Sequence, residues 1–162
     1  MSSEKHSGPI APTLLHHVAI ETTDLDNCEK WYREFLNFQP AWTLTEFSEL
    51  TLSRLPGISR LTEVTCGGAR LHLFERDGVH AEPTPARAPV QHLCLSFPAV
   101  ALLETARSRW LELFESGRFS FAKGEEPSPL VTDSDGVVSF YAYDVNGLEL
   151  ELTYDPSLHA AR

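Results

Sequence analysis

Apolar and polar positions along this chain run through nearly the same pattern twice. Residues 15–21 read LHHVAIE and residues 90–96 read VQHLCLS. Each is a strand-like run with a histidine in third place and apolar residues at alternate positions after it. A helical period follows both. Within 24–36, Leu25, Cys28, Trp31, Tyr32 and Phe35 recur at helical spacing behind Thr23 or Asp24 as cap. Over 99–115, Leu102, Leu103, Ala106, Trp110, Leu113 and Phe114 form the second apolar stripe. Turn-rich stretches then lead to a closing strand, ARLHLFE at 69–75 and LELELTY at 148–154.

An internal repeat of this length means two copies of one supersecondary unit, each reading strand, helix, then several strands. The break falls at 76–89, where Gly78, Pro83, Pro85 and Pro89 disfavour regular pairing. The expected organisation is a tail at 1–12, a first module at 13–75, a linker at 76–89, a second module at 90–155 and a tail at 156–162.

Strand side chains alternate between two faces, and this sorts the candidates. Leu148, Leu150, Leu152 and Tyr154 share one face, leaving Glu149, Glu151 and Thr153 on the other. Leu93, Leu95 and Phe97 separate from His92, Cys94 and Ser96, and Val18 and Ile20 from His17 and Ala19. Leu71-His72-Leu73 in the first closing strand answers Leu150-Glu151-Leu152 in the second. Three histidines and a glutamate thus gather on the side away from the helices, where uncompensated burial of polar groups is costly and a metal ion would offset it. Two imidazoles and one carboxylate with open positions suit non-haem Fe(II), and also accept Mn, Co, Ni or Zn. His17, His92 and Glu151 supply that count. Any one of them alone reads as an ordinary strand residue; their matching places in a repeat single them out. His16 falls on the Val18/Ile20 face, which gives it a packing or hydrogen-bonding role. Glu75 and Glu149 read as edge or solvent-facing carboxylates, and His6, His80 and His159 lie in the tails or linker.

Composition narrows the chemistry. A formal net charge of −10 and a pI near 5.1 argue against a phosphate-binding surface, so nucleic acid is not an expected partner. No run is long and apolar enough to span a bilayer and the first residues form no secretory leader, so the expectation is a cytoplasmic protein with no membrane partner. Three cysteines without CxxC spacing indicate neither a disulfide framework nor a thiolate zinc site. Serine-elbow, P-loop, Rossmann and HExxH patterns are absent, which leaves metal-centred chemistry on a small molecule.

The stretches HHVAIETTDLDNCEKWYREFLNF at 16–38 and YDVNGLELEL at 143–152 resemble the opening strand and helix, and the closing turn and ligand strand, of vicinal oxygen chelate modules. The likeness covers residues 14–155. It implies an α+β fold of two tandem βαβββ modules that form a curved mixed-sheet cup with helices on its outer face. The superfamily includes glyoxalases, epimerases, fosfomycin-modifying enzymes, drug-sequestering resistance proteins and extradiol dioxygenases. The extradiol branch is the most similar. That resemblance implies iron ligands at His17, His92 and Glu151, an acid/base at His72, and a substrate contact from Tyr141 within Phe140-Tyr141-Ala142-Tyr143-Asp144. It implies a homo-oligomer, a dimer among the options, that acts on a small aromatic catechol with O2. Similarity of layout to single-domain enzymes suggests L-DOPA. Val145 replaces the proline of that branch, and no histidine stands within 131–138. A glyoxalase- or epimerase-type enzyme, in which the His72 position is a fourth ligand, stays open, as does non-catalytic sequestration. Arg54, Arg60 and Arg70 are unranked candidates for holding a substrate carboxylate.

Overall fold

The computed structural model describes residues 12, 14–77, 90 and 92–159. The first module comprises β1 (Val18–Thr22), α1 (Leu25–Leu36), β2 (Gln39–Leu44), α2 (Glu49–Arg54), β3 (Ile58–Cys66) and β4 (Ala69–Arg76). The second comprises β5 (His92–Ser96), α3 (Val100–Glu115), β6 (Val131–Thr132), β7 (Val138–Tyr143) and β8 (Glu149–Tyr154), with α4 (Pro156–His159) after it. The eight strands divide into two four-stranded mixed sheets of equivalent order, β1-β4-β3-β2 and β5-β8-β7-β6. In each, the first strand runs parallel to the last and the remaining pairs are antiparallel. This is the α+β architecture of two βαβββ modules that the repeat implies. β1 and β5 are each an edge strand of their own sheet, and they are not hydrogen-bonded to each other. The expected N-terminal tail, apart from Pro12, and nearly all of the expected linker lie outside the described residues, as do His6 and His80.

The helices begin and end where local chemistry dictates. Asp24 caps α1 by accepting from the Asn27 backbone N–H, and Asn37, at φ 58°, ends it in the left-handed conformation that asparagine tolerates. α1 buries Leu25, Cys28, Trp31, Tyr32 and Phe35. α3 buries Leu103, Ala106, Trp110 and Leu113 but leaves Leu102 exposed, a narrower stripe than the sequence pattern predicts. The two helices pack on each other and join the apolar faces of both sheets in one core. Polar ties cross the modules: the Tyr32 hydroxyl donates to Asp144 Oδ2 at 2.8 Å, and the Asn27 side chain bonds both backbone groups of Ser120. α2 has no counterpart among the described residues of the second module. With six residues and none buried, it carries no apolar period to read.

Two hairpin turns fix the registers that matter. Gly67-Gly68 joins β3 to β4, with Gly67 at φ 56°, and a two-residue turn of this kind pairs the flanking residues directly. Counting back from Cys66 opposite Ala69 sets Glu63 opposite His72. In the second module the fully buried Asp144 accepts backbone N–H bonds from Asn146 and Leu148, and Gly147 takes φ 84°. That turn launches β8 so that Tyr141 stands opposite Glu151.

Candidate metal centre

Parallel pairing puts Ala19 opposite His72 and Cys94 opposite Glu151. His17 and His92 each stand two residues ahead of those partners. The pairs His17/His72 and His92/Glu151 therefore hold the same register positions in the two modules. The rings of His17 and His72 stack with centroids 3.7 Å apart and planes 9° from parallel. His92 Nε2 lies 3.1 Å from Glu151 Oε2. Among the described residues, no three His, Cys, Asp or Glu side chains converge on one point, so the candidate ligands are gathered as two half-sites, one on each sheet. Imidazole nitrogen and carboxylate oxygen are the donors a divalent first-row metal takes, and in kind this set fits one.

The first half-site is more elaborate than the sequence pattern predicts. His17 precedes β1 and is exposed. For the same reason strand alternation does not govern His16, which does not pack on the Val18/Ile20 side: its Nδ1 lies 2.9 Å from His17 Nδ1 and its ring meets that of His72 edge-on at 6.4 Å. Partial loss of solvent, then the neighbouring His72 and His16 imidazoles, lower the pKa of His17 and favour the neutral form that binds metals. His72 Nε2 lies 3.0 Å from Oε2 of Glu63, a carboxylate only 5% exposed. The hydrogen bond from His72 is the main reason the Glu63 pKa lies below the usual carboxylate range, with the Arg70 charge assisting. An imidazole lone pair lies in the plane of its ring. Two rings stacked this nearly parallel cannot both direct a nitrogen at one ion, so in these rotamers His17 and His72 do not share one.

In the second half-site, Tyr141 lies across from Glu151, and its ring approaches His92 edge-on at 6.1 Å. Desolvation, then hydrogen bonding to Glu151, raise the Tyr141 pKa and keep the phenol protonated. Desolvation and the Glu151 charge push the Cys94 thiol up to about 11, which makes it a poor thiolate ligand.

Other candidates are placed elsewhere. Glu75 is not a solvent-facing carboxylate: it accepts from the Leu25 backbone N–H at the start of α1, from Ser59 and from Arg60. The Arg60 hydrogen bond is the largest cause of its pKa falling to about 2. His159, in α4, stacks on Tyr154 at the end of β8. Sequence reasoning missed Glu63, although the Gly67-Gly68 turn was the signal for it: a two-residue hairpin sets the register, and the register puts a carboxylate beside His72.

Residues 14–152 match the family model described as the glyoxalase/bleomycin resistance protein/dioxygenase superfamily. The chain belongs to that superfamily. No curated protein matches it. Solved structures share the fold at low identity. A glyoxylase/bleomycin resistance protein/dioxygenase domain from Frankia sp. EAN1pec has TM-score 0.68 and 18% identity, covering 89% of this chain and 93% of that one. Lactoylglutathione lyase from Agrobacterium tumefaciens has TM-score 0.58 and 19% identity, covering 88% and 94%. The fosfomycin resistance protein FosX from Listeria monocytogenes, solved with Mn(II) and sulfate, has TM-score 0.61 and 14% identity, covering 90% and 94%. No described helix of this superfamily member is long and apolar enough to cross a membrane.

Proposed function

We propose that this superfamily member is a non-haem Fe(II) extradiol dioxygenase that opens a small catechol with O2. His17, His92 and Glu151 hold the metal, His72 moves protons and Tyr141 hydrogen-bonds the substrate. The observation that carries the reading is the His72–Glu63 pair. An imidazole stacked on a ligand histidine, and tied at Nε2 to a buried carboxylate, is oriented as an acid/base. Bound by the three donors, Fe(II) supplies a Lewis-acidic centre with open positions where catechol and O2 meet.

The rest falls to the chain. Glu63 fixes the orientation of His72 and leaves Nδ1 to exchange a proton with a catechol hydroxyl. The Tyr141 phenol, its proton held by Glu151, accepts a hydrogen bond from a substrate hydroxyl. The three cysteines are unpaired, which suits a reducing cytoplasm where ferrous iron persists. We read the protein as a homo-oligomer. β1 and β5 are unpaired edges and the half-sites do not converge among the described residues, so a second copy is the natural source of the His92 and Glu151 that face His17.

A second reading has an observation of its own. His72 holds the same register position as Glu151, which makes it a candidate fourth ligand of a lyase or isomerase using Mn, Ni, Co or Zn. A lactoylglutathione lyase and the Mn(II)-bound FosX share the fold. Anaerobic reconstitution with Fe(II), followed by air and a panel of catechols including L-DOPA, separates the two. Oxygen uptake with a yellow ring-opened product is expected. Iron demonstrably bound with no uptake ends the dioxygenase reading, and turnover of a hemithioacetal with Ni, Co or Zn establishes the other. A chain that binds no metal yet holds an aromatic drug tightly is a sequestering protein.

A further inference from the structure

Four residues form one row across the first sheet: Trp42 on β2 pairs with Glu63 on β3, Glu63 with His72 on β4, and His72 with Ala19 on β1. Trp42 meets the His72 ring edge-on at 5.1 Å and is 39% exposed, whereas Trp31 and Trp110 are fully buried. The row thus offers an aromatic wall at one end and the small Ala19 at the other, with the acid/base imidazole between them.

Arg70 flanks this row, two residues before His72 on the same face of β4. Its Nη1 approaches Glu63 Oε2 at 3.7 Å, beyond hydrogen-bond length, and its side chain is 48% exposed. That Glu63 oxygen is already engaged by His72. The other arginines near the first sheet are committed elsewhere. Arg60 bonds Glu75 and Asp26, and Arg76 bonds the Pro56 carbonyl and Glu21. Arg54 sits on α2, which has no buried residue to anchor it. Among the described residues, Arg70 alone combines a place beside His72 with donors left over, and a guanidinium so placed matches a carboxylate fork to fork.

We propose that Arg70 anchors a substrate carboxylate and that Trp42 is the wall against which the substrate ring packs, so that the preferred substrates are aromatic acids. This rests on the small-molecule site proposed above. L-DOPA and dopamine differ only in the carboxylate and serve as matched probes. 3-Phenylpropionate, which has the carboxylate and no catechol, reports the anchor independently of ring cleavage. Calorimetric titration of the Fe(II)-loaded protein without oxygen is expected to find L-DOPA bound roughly tenfold or more tighter than dopamine, the worth of one charge-assisted bond. Arg70→Met brings the two within about twofold through loss of L-DOPA affinity, and Arg70→Lys falls between. Trp42→Ala weakens all three ligands by about tenfold and leaves the ratio intact. Under air, Arg70→Met raises KM for L-DOPA by a larger factor than it lowers kcat.

Equal affinity for L-DOPA and dopamine in the unmodified protein, or a preference that survives Arg70→Met, overturns the anchor. Unchanged binding in Trp42→Ala overturns the wall. Arg70-dependent binding of 3-phenylpropionate with no catechol turned over leaves the carboxylate site standing and removes the dioxygenase reading. Turnover without carboxylate preference does the reverse.

Discussion

The two modules share a frame and differ in charge. At equivalent positions the first closing strand carries Arg70 and His72, where the second carries Glu149 and Glu151. The residue facing each candidate donor on the neighbouring strand is Glu63 in the first module and Tyr141 in the second. An imidazole is thus backed by a carboxylate and flanked by a guanidinium on one sheet, and a carboxylate is backed by a phenol on the other. In an antiparallel hairpin the chemistry of a donor depends as much on its cross-strand partner as on its own identity. On the proposed reading, His72 and Arg70 of the first module move protons and receive an anion, whereas Glu151 of the second helps His17 and His92 hold a cation.

Removing Glu151 should have the largest effect on this contrast. Glu151→Ala is expected to lower Fe(II) affinity more than about a hundredfold, since a first-contact ligand outweighs the 10–100-fold of an outer partner. Iron retained at stoichiometry after dialysis would remove Glu151 from the ligand set. Glu63→Gln should keep the metal and cut turnover by roughly 10–100-fold, as expected for a group that orients the acid/base. Full activity in that variant would make the His72–Glu63 pair incidental.

Mixing addresses whether the half-sites meet within one chain or between two. Neither His17→Ala nor His92→Ala should bind metal normally alone. After exchange in an equimolar mixture, intact sites should reappear at about a quarter of the total if each site draws on two chains of a dimer. No recovery would assign both halves to one chain.

The smallest effect is expected away from the site, at Glu75. Its folded pKa of about 2 lies below the ordinary 4.5, so its contribution to stability is complete above pH 4.5 and is lost as pH falls towards 2. Glu75→Gln should lower stability at pH 7 by about 1–2 kcal/mol and flatten the acid limb of a denaturant-midpoint profile. Identical acid limbs in the two proteins would contradict the role of the Arg60–Glu75 pair.

Much of this architecture is legible in the sequence because the repeat carries two periodicities in a fixed order. The apolar stripe of α1 and the alternation around Leu150 and Leu152 emerge as buried faces. His17, His72, His92 and Glu151 are legible as a set because they recur at matching places. What escaped were consequences of pairing between strands. Glu63 becomes visible only when register is counted from Gly67-Gly68. His16 lies ahead of β1, which begins at Val18, so strand alternation does not set the direction of its side chain. The Phe140-Tyr141-Ala142-Tyr143-Asp144 segment drew attention to Tyr141. Its Asp144 acts instead by being buried, holding Tyr32 and the turn that sets the Glu151 register.

Metal binding by His72→Ala decides whether His72 moves protons or holds the metal. Fe(II) affinity is expected within about threefold of that of the unmodified protein, with turnover of a catechol lowered by roughly 10²–10⁴-fold, the usual contribution of a general acid/base. Loss of iron as severe as in Glu151→Ala would contradict the proton-moving role and make His72 a ligand.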